Sequence, residues 1–179
     1  MSERKPSTLA ALLEDKPKRG RPRRAVSRKN VYVALTQEQK QEMESLAKEL
    51  PEGLVRSDIP DMAVSLMASR LELLRQAVSD RNREIPEGIT DMDSLYLLWD
   101  LPLPDEEDDT KWTSIRLSPQ QAVDLGRAHG TLKALFGANR SQVFGLSLVL
   151  LSQFMREELT DKQYRSIADV DAWVTRIYL

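Results

Sequence analysis

Apolar and polar residues alternate along Lys29–Thr36, with Val31, Val33 and Leu35 on one parity and Asn30, Tyr32 and Ala34 on the other. A period of two is that of a strand with one buried face, so the segment predicts a short strand whose Val/Leu side faces a core. The pattern returns before Ser118, with Ile115 and Leu117 inward and Trp112, Ser114 and Arg116 outward. Each strand runs straight into a capped helix. Thr36-Gln37-Glu38-Gln39 has the form of a capping box, and Ser118-Pro119-Gln120-Gln121 repeats it with proline at the first helical position. Met43, Leu46, Ala47 and Leu50 then recur at helical spacing, Glu38, Lys40, Glu42 and Lys48 are turned to water, and Pro51-Glu52-Gly53 ends the run. In the second copy Leu125, Ala128, His129 and Leu132 take the corresponding places.

A second helix follows in each copy. The first begins within Arg56–Pro60, where Ser57 or Asp58 can cap and Pro60 is tolerated because it lies in the first turn, and passes Met62, Ala63, Leu66, Leu71 and Leu74 towards Arg83. Gly137-Ala138-Asn139-Arg140-Ser141-Gln142 restates Gly53-Leu54-Val55-Arg56-Ser57-Asp58 and opens a helix from Ser141 towards Glu158. That helix is apolar nearly all round, which places it in the middle of the body. The strand copies lie 82 positions apart (Tyr32 to Ser114) and the second-helix copies 84 (Ser57 to Ser141), so two residues are inserted in the turn. Gly126 and Gly130 each weaken their helix by roughly 1 kcal/mol relative to alanine, which tertiary contacts must offset. Between the copies, residues 84–110 read as a linker with a turn of helix over Met92–Leu101 that packs on the body, and the acidic run Asp105–Asp109, a solvated segment placed where it would repel or mimic DNA. At the C-terminus Ile167, Val170, Trp173, Val174 and Ile177 form one more amphipathic helix, which covers the body or contacts another protomer or protein.

Over Arg28–Leu74, the order of strand, helix, glycine-containing turn, Arg-Ser-Asp and longer helix resembles the ribbon-helix-helix family, the superfamily of the Arc and MetJ repressors. The resemblance implies a fold completed by pairing, in which two strands form an antiparallel ribbon for the DNA major groove and the helices build a shared core beneath it. It implies that Asn30, Tyr32 and Ala34 read bases, and that the amides of Arg56 and Ser57 hold a phosphate. Trp112, Ser114, Arg116, Arg140 and Ser141 are their counterparts in the second copy, and Arg28 joins the set next to the strand. Val55 departs from the pattern, since the family has a Ser or Thr cap there, and Ala34 can meet a thymine methyl but offers no side-chain hydrogen bond.

Composition adds a second element. The formal net charge of −2 hides ten Lys/Arg against three Asp/Glu in residues 1–30, and sixteen against twenty-five in residues 31–179. That division points to a basic arm for a polyanion on an acidic body. Within the arm, which is expected to be disordered, Lys18-Arg19-Gly20-Arg21-Pro22-Arg23-Arg24 resembles an AT-hook. Gly20 has no side chain to clash, Pro22 favours extended backbone, Arg19 and Arg21 suit a narrow A·T minor groove, and Lys18, Arg23 and Arg24 suit phosphates. Sequence-blind phosphate contact is the alternative. Leu9–Leu13 adds a short apolar patch to the arm.

With no cysteine and a single histidine, disulfide frameworks and zinc ribbons are excluded and a His-based metal site is not expected. The carboxylates lack a phosphate loop, metal cluster or nucleophile to organise them, so no enzyme and no cofactor are expected. The longest apolar run, Gly145–Met155, is 11 residues with two serines, too short for a bilayer. The expected protein is soluble, cytoplasmic and nucleoid-associated, with double-stranded DNA as partner and no membrane contact. Its fold class is mainly α with a short β-ribbon. The expected order is a basic arm at 1–27, a first ribbon-helix-helix at 28–83, an acidic linker at 84–110, and a second ribbon-helix-helix with an extra helix at 111–179. The tethered copies pair within one chain as a pseudo-dimer, because a linker of this length holds the partner strand at roughly millimolar effective concentration. The expected function is a sequence-specific transcriptional regulator, a repressor; the alternative is an antitoxin or plasmid-partition adaptor that binds DNA and captures a protein through the arm or the C-terminal helix.

Overall fold

The computed structural model of the chain describes residues 27–80, 88–104, 109–158 and 167–178. Strand β1 (Lys29–Leu35) leads into α1 (Gln37–Glu49), and a single 3-10 turn at Arg56–Asp58 leads into α2 (Ile59–Asp80). After the linker helix α3 (Met92–Leu98), the order repeats as β2 (Lys111–Leu117), α4 (Pro119–Phe136) and α5 (Arg140–Glu157), closed by α6 (Ile167–Tyr178). The chain is thus mainly α with one two-stranded antiparallel ribbon, and strand-helix-helix occurs twice among the described residues. The basic residues 19–24 and most of the acidic run, residues 105–108, lie outside the described residues.

The ribbon is centred on Tyr32 opposite Ser114, with Asn30 opposite Arg116 and Ala34 opposite Trp112. Both strands bury their last inward residues, Val33 and Leu35 in β1 and Ile115 and Leu117 in β2. Val31 is only half-buried, at the place held by Thr113 in the other copy. Below the ribbon, α2 and α5 pack on each other, and a single core draws Leu46, Ile59, Met62 and Met67 from one copy and Leu125, Leu132, Phe144 and Leu146 from the other. A helix as apolar as α5 has to lie here, since few of its faces could meet water without exposing leucine or phenylalanine. The linker contributes Leu95 and Tyr96 to the same core. Helix α6 crosses back to pack on α2, with Val170 and Val174 buried, so the C-terminal addition closes over the first copy.

Helix starts follow the caps. Thr36 Oγ1 accepts from the Gln39 amide and Gln39 Oε1 from the Thr36 amide, each at 3.1 Å. Asn139 and Gln142 form the same box at the start of α5. Val55 has no capping side chain, and Asp58 compensates by accepting the Val55 amide at 3.0 Å, so the chain makes a 3-10 turn before α2. Gly137 ends α4 at φ 70 and Gly53 follows α1 at φ 99, a left-handed backbone that costs glycine least.

The two halves differ where their ends meet. Ser118 donates its amide to Asp61 at 2.9 Å and not to Gln121, whose buried side-chain oxygen has no partner. The residue of α5 that corresponds to Asp61 is Gly145, and a Cβ there would stand 2.5 Å from Gln39 Nε2. A carboxylate takes the helix-start amide in one half, whereas in the other a glycine leaves room for the glutamine that does so.

Because the chain has no native cysteine, the ribbon register can be tested directly. Oxidised Tyr32→Cys/Ser114→Cys protein is expected to close a disulfide within one chain, since side chains directly opposite in an antiparallel pair lie about 4.5–5.5 Å apart at Cβ. Tyr32→Cys alone should remain uncrosslinked on a non-reducing gel. Covalent dimers from the single variant would mean that β1 pairs with β1 of a second chain.

Candidate functional site

The outward face of the ribbon is the most unusual surface of the chain. Asn30, Tyr32, Trp112, Ser114 and Arg116 are all exposed, with Tyr32 at 64% and Trp112 at 74%. Two ribbon strands place these side chains in one shallow row, because residues of equal parity share a face. Large aromatics left in water on the same face mark a contact surface more often than a resting one. Ala34 is half-buried, because its strand edge lies against the start of α5, where its amide donates to Ser141 Oγ at 2.8 Å.

Each side of the ribbon is bordered by the start of a second helix, and the two borders are unequal. On one side, a groove of 560 Å³ lies between Thr113–Arg116 of β2 and the Val55–Ser57 segment, with Lys40 and Glu44 of α1 at its rim. Arg56 pairs there with Glu44 at 3.3 Å, both well exposed, and Lys40 Nζ donates to the Lys111 carbonyl at 3.4 Å. On the other side a larger groove of 1130 Å³ separates Tyr32, Ala34 and Trp112 from Asn139–Gln142. Its far wall is the linker, with Met92, Asp93 and Tyr96 of α3 followed by Leu103 and Pro104. The Arg140 and Ser141 amides open α5, where no carbonyl of the preceding turn is available to them.

The residues expected from the sequence therefore gather in one region, with two qualifications. Arg19, Gly20, Arg21, Pro22, Arg23 and Arg24 lie outside the described residues. Arg28 turns away from the row: its guanidinium reaches Asp58 at 2.6 Å and Asp61 at 3.1 Å, and donates to the Ser57 carbonyl. With its side chain 10% exposed, Arg28 ties the base of β1 to α2, and through Asp61 to the Ser118 amide that begins α4. Sequence spacing gave no sign of this, since the partners are about thirty residues away. Lys40, which helical periodicity turns to water, instead borders the groove beside the ribbon. The place of the linker wall was equally hidden, because an expectation that Met92–Leu101 packs on the body does not say which face it covers.

His129 is half-buried, and burial first, then the nearby Arg140 and Lys133 charges, lower its pKa. The imidazole is therefore held toward its neutral form at pH 7. Among the described residues, no group of three His, Asp or Glu stands close enough to hold a metal ion, and no single helix is long and apolar enough to cross a membrane.

Replacing Arg28 with alanine is expected to lower stability by about 3 kcal/mol in chemical denaturation, because it removes the guanidinium that meets the buried Asp58 and Asp61 carboxylates. Arg28→Ala/Asp61→Asn should recover part of that loss. A loss below about 1 kcal/mol for Arg28→Ala, the range of an exposed pair, would remove the structural role assigned to this guanidinium. Comparisons with protein-family models, curated proteins and solved structures find no match to this chain.

Proposed function

We propose that the chain is a tandem ribbon-helix-helix DNA-binding regulator, a repressor that occludes a promoter. The observation that carries this reading is the exposed row Asn30, Tyr32, Trp112, Ser114 and Arg116 on a two-stranded ribbon bordered on both sides by helix starts. A two-stranded ribbon fits the major groove of B-DNA, where base edges can be distinguished by their donors and acceptors. Arg116 suits the two acceptors of guanine and Asn30 the donor–acceptor pair of adenine, and the two residues are direct neighbours across the ribbon. Ser114 accepts or donates, and Ala34 offers only a small apolar contact. Backbone amides at Arg56 and Ser57, and at Arg140 and Ser141, are placed to meet phosphates and fix the ribbon's register on the duplex.

The two strands carry different outward residues, so a ribbon paired within one chain reads a non-palindromic element, unlike a symmetric homodimer. The arm supplies the rest, with Arg19 and Arg21 in an A·T minor groove and Lys18, Arg23 and Arg24 on the backbone. No catalytic step and no cofactor belong to this reading.

Recovery of bound DNA from a random pool tests it and should yield a single asymmetric consensus. Asn30→Ala/Arg116→Ala is expected to abolish preference for that site with circular dichroism unchanged; undiminished affinity would sink the base-reading role. Deleting residues 1–27 should weaken binding most where A·T pairs flank the site, and should flatten the dependence of log K on log salt by about 0.9 for each phosphate the arm neutralises. An unaltered slope would deny the arm any part in binding DNA.

A further inference from the structure

We infer that the two sides of the ribbon hold DNA unequally: Lys40 and Arg56, beside the base-reading Arg116, make one side a strong phosphate-binding groove, while the linker crowds and neutralises the other, where the Arg140 and Ser141 amides hold the backbone more weakly. The inference rests on the DNA reading above and adds Lys40 to the binding residues, with a polarity for the bound duplex.

The argument begins with the repeat. Under the offsets that relate the copies, Arg56 corresponds to Arg140, but Lys40 corresponds to Ala122 and Arg116 to Ala34. Three cations from three elements, α1, the turn before α2, and β2, converge on the first groove, and among the described residues Glu44 is the one carboxylate on its wall. Only Arg140 remains of that set on the second side, and there it shares the groove with Asp93 from α3. Asp109, also exposed, lies two residues before β2 on the same linker. A DNA strand beside the ribbon carries a charge at every phosphate. It is therefore attracted where Lys40, Arg56 and Arg116 stand together, and gains little where Asp93 offsets Arg140.

Shape acts in the same direction. The first groove is open along β2, and the Arg56–Glu44 pair is an exposed contact at 3.3 Å that a phosphate can replace at little cost. The second is walled by Met92, Tyr96, Leu103 and Pro104, apolar or bulky groups that offer a phosphate no hydrogen bond except from tyrosine. Tyr96 is itself buried, and burial pushes its hydroxyl pKa up to about 12. The duplex is thus clamped on the Arg56 side and leans away from the linker. This gives the complex a direction that a symmetric ribbon lacks.

The full-length chain and the DNA site recovered from the random pool provide the test, with binding measured across a salt series. Lys40→Ala and Arg56→Ala should each flatten the log K against log salt slope by about 0.9, the release of one phosphate's counterions apiece. Arg140→Ala should flatten it by less than half as much, and Asp93→Asn should tighten binding severalfold at low salt. All four positions are on the surface, and unchanged thermal unfolding of each variant checks the fold. Equal losses for Arg56→Ala and Arg140→Ala, or a Lys40→Ala slope equal to wild type, overturn the unequal clamp while leaving DNA binding intact. Failure of the wild-type chain to enrich any sequence from the pool overturns the functional reading itself.

Discussion

Pairing of β1 with β2 is the constraint on which the rest of this structure depends. A seven-residue strand alone has an unpaired edge and one greasy face, and even a two-stranded sheet is marginal unless something packs beneath it. Here the inward residues Val33, Leu35, Ile115 and Leu117 from both strands rest on the same helices. Residues of both strand-helix-helix units bury their apolar faces in one shared core. The outward face is then whatever pairing leaves over, a row of side chains with no packing duty.

Sharing one core did not keep the halves alike. Asp61, buried on α2, takes the Ser118 amide, and a buried carboxylate needs compensation, which Arg28 supplies from the base of β1. At the equivalent point of α5, Gly145 removes the side chain altogether and the Gln39 side-chain amide fills the space. Each arrangement satisfies a helix-start donor, but only the first gathers charge. That charge fixes Arg28, the residue that joins the N-terminal arm to β1, because its guanidinium is held by Asp58 and Asp61. A basic arm rooted at that point is tethered beside the ribbon, and on the proposed reading the tether raises its local concentration at the duplex.

Much of this was legible in the sequence for local reasons. Strand parity, the capping box at Thr36–Gln39 and the apolar girth of α5 are each written within a few residues, and they locate the element starts to within a residue or two; the box expected at Ser118–Gln121 forms only in part, because Ser118 gives its amide to Asp61. The linker helix is present but ends at Leu98, earlier than the expected Leu101, where the chain turns at Asp100 with φ 54. What could not be read was long-range. The Arg28–Asp61 pair joins residues thirty-three positions apart by numbering. The docking of α6 on α2 depends on which helix the second copy leaves uncovered, and the position of α3 beside the ribbon depends on how the linker is drawn back across the body. None of these leaves a periodic signature. Val55 is an instructive intermediate case, because its missing cap was visible in the sequence, whereas the solution, a 3-10 turn with Asp58 reaching back, was not.

Electrostatics sets the last condition on the proposed function. Residues 31–179 carry sixteen Lys/Arg and twenty-five Asp/Glu, a body that repels a polyanion at long range. On the outward row only Arg116 is charged, so base contacts alone give little attraction to offset that field. A DNA reader of this composition has to separate its tasks: a basic arm draws the duplex in, a short cationic border holds one backbone strand, and nearly neutral ribbon side chains compare base edges. Such a division has a physical advantage for discrimination. Phosphate contacts strengthen binding to right and wrong sequences alike, so a body that repels DNA away from a small border confines the duplex to one orientation and leaves discrimination between sites to Asn30 and Arg116.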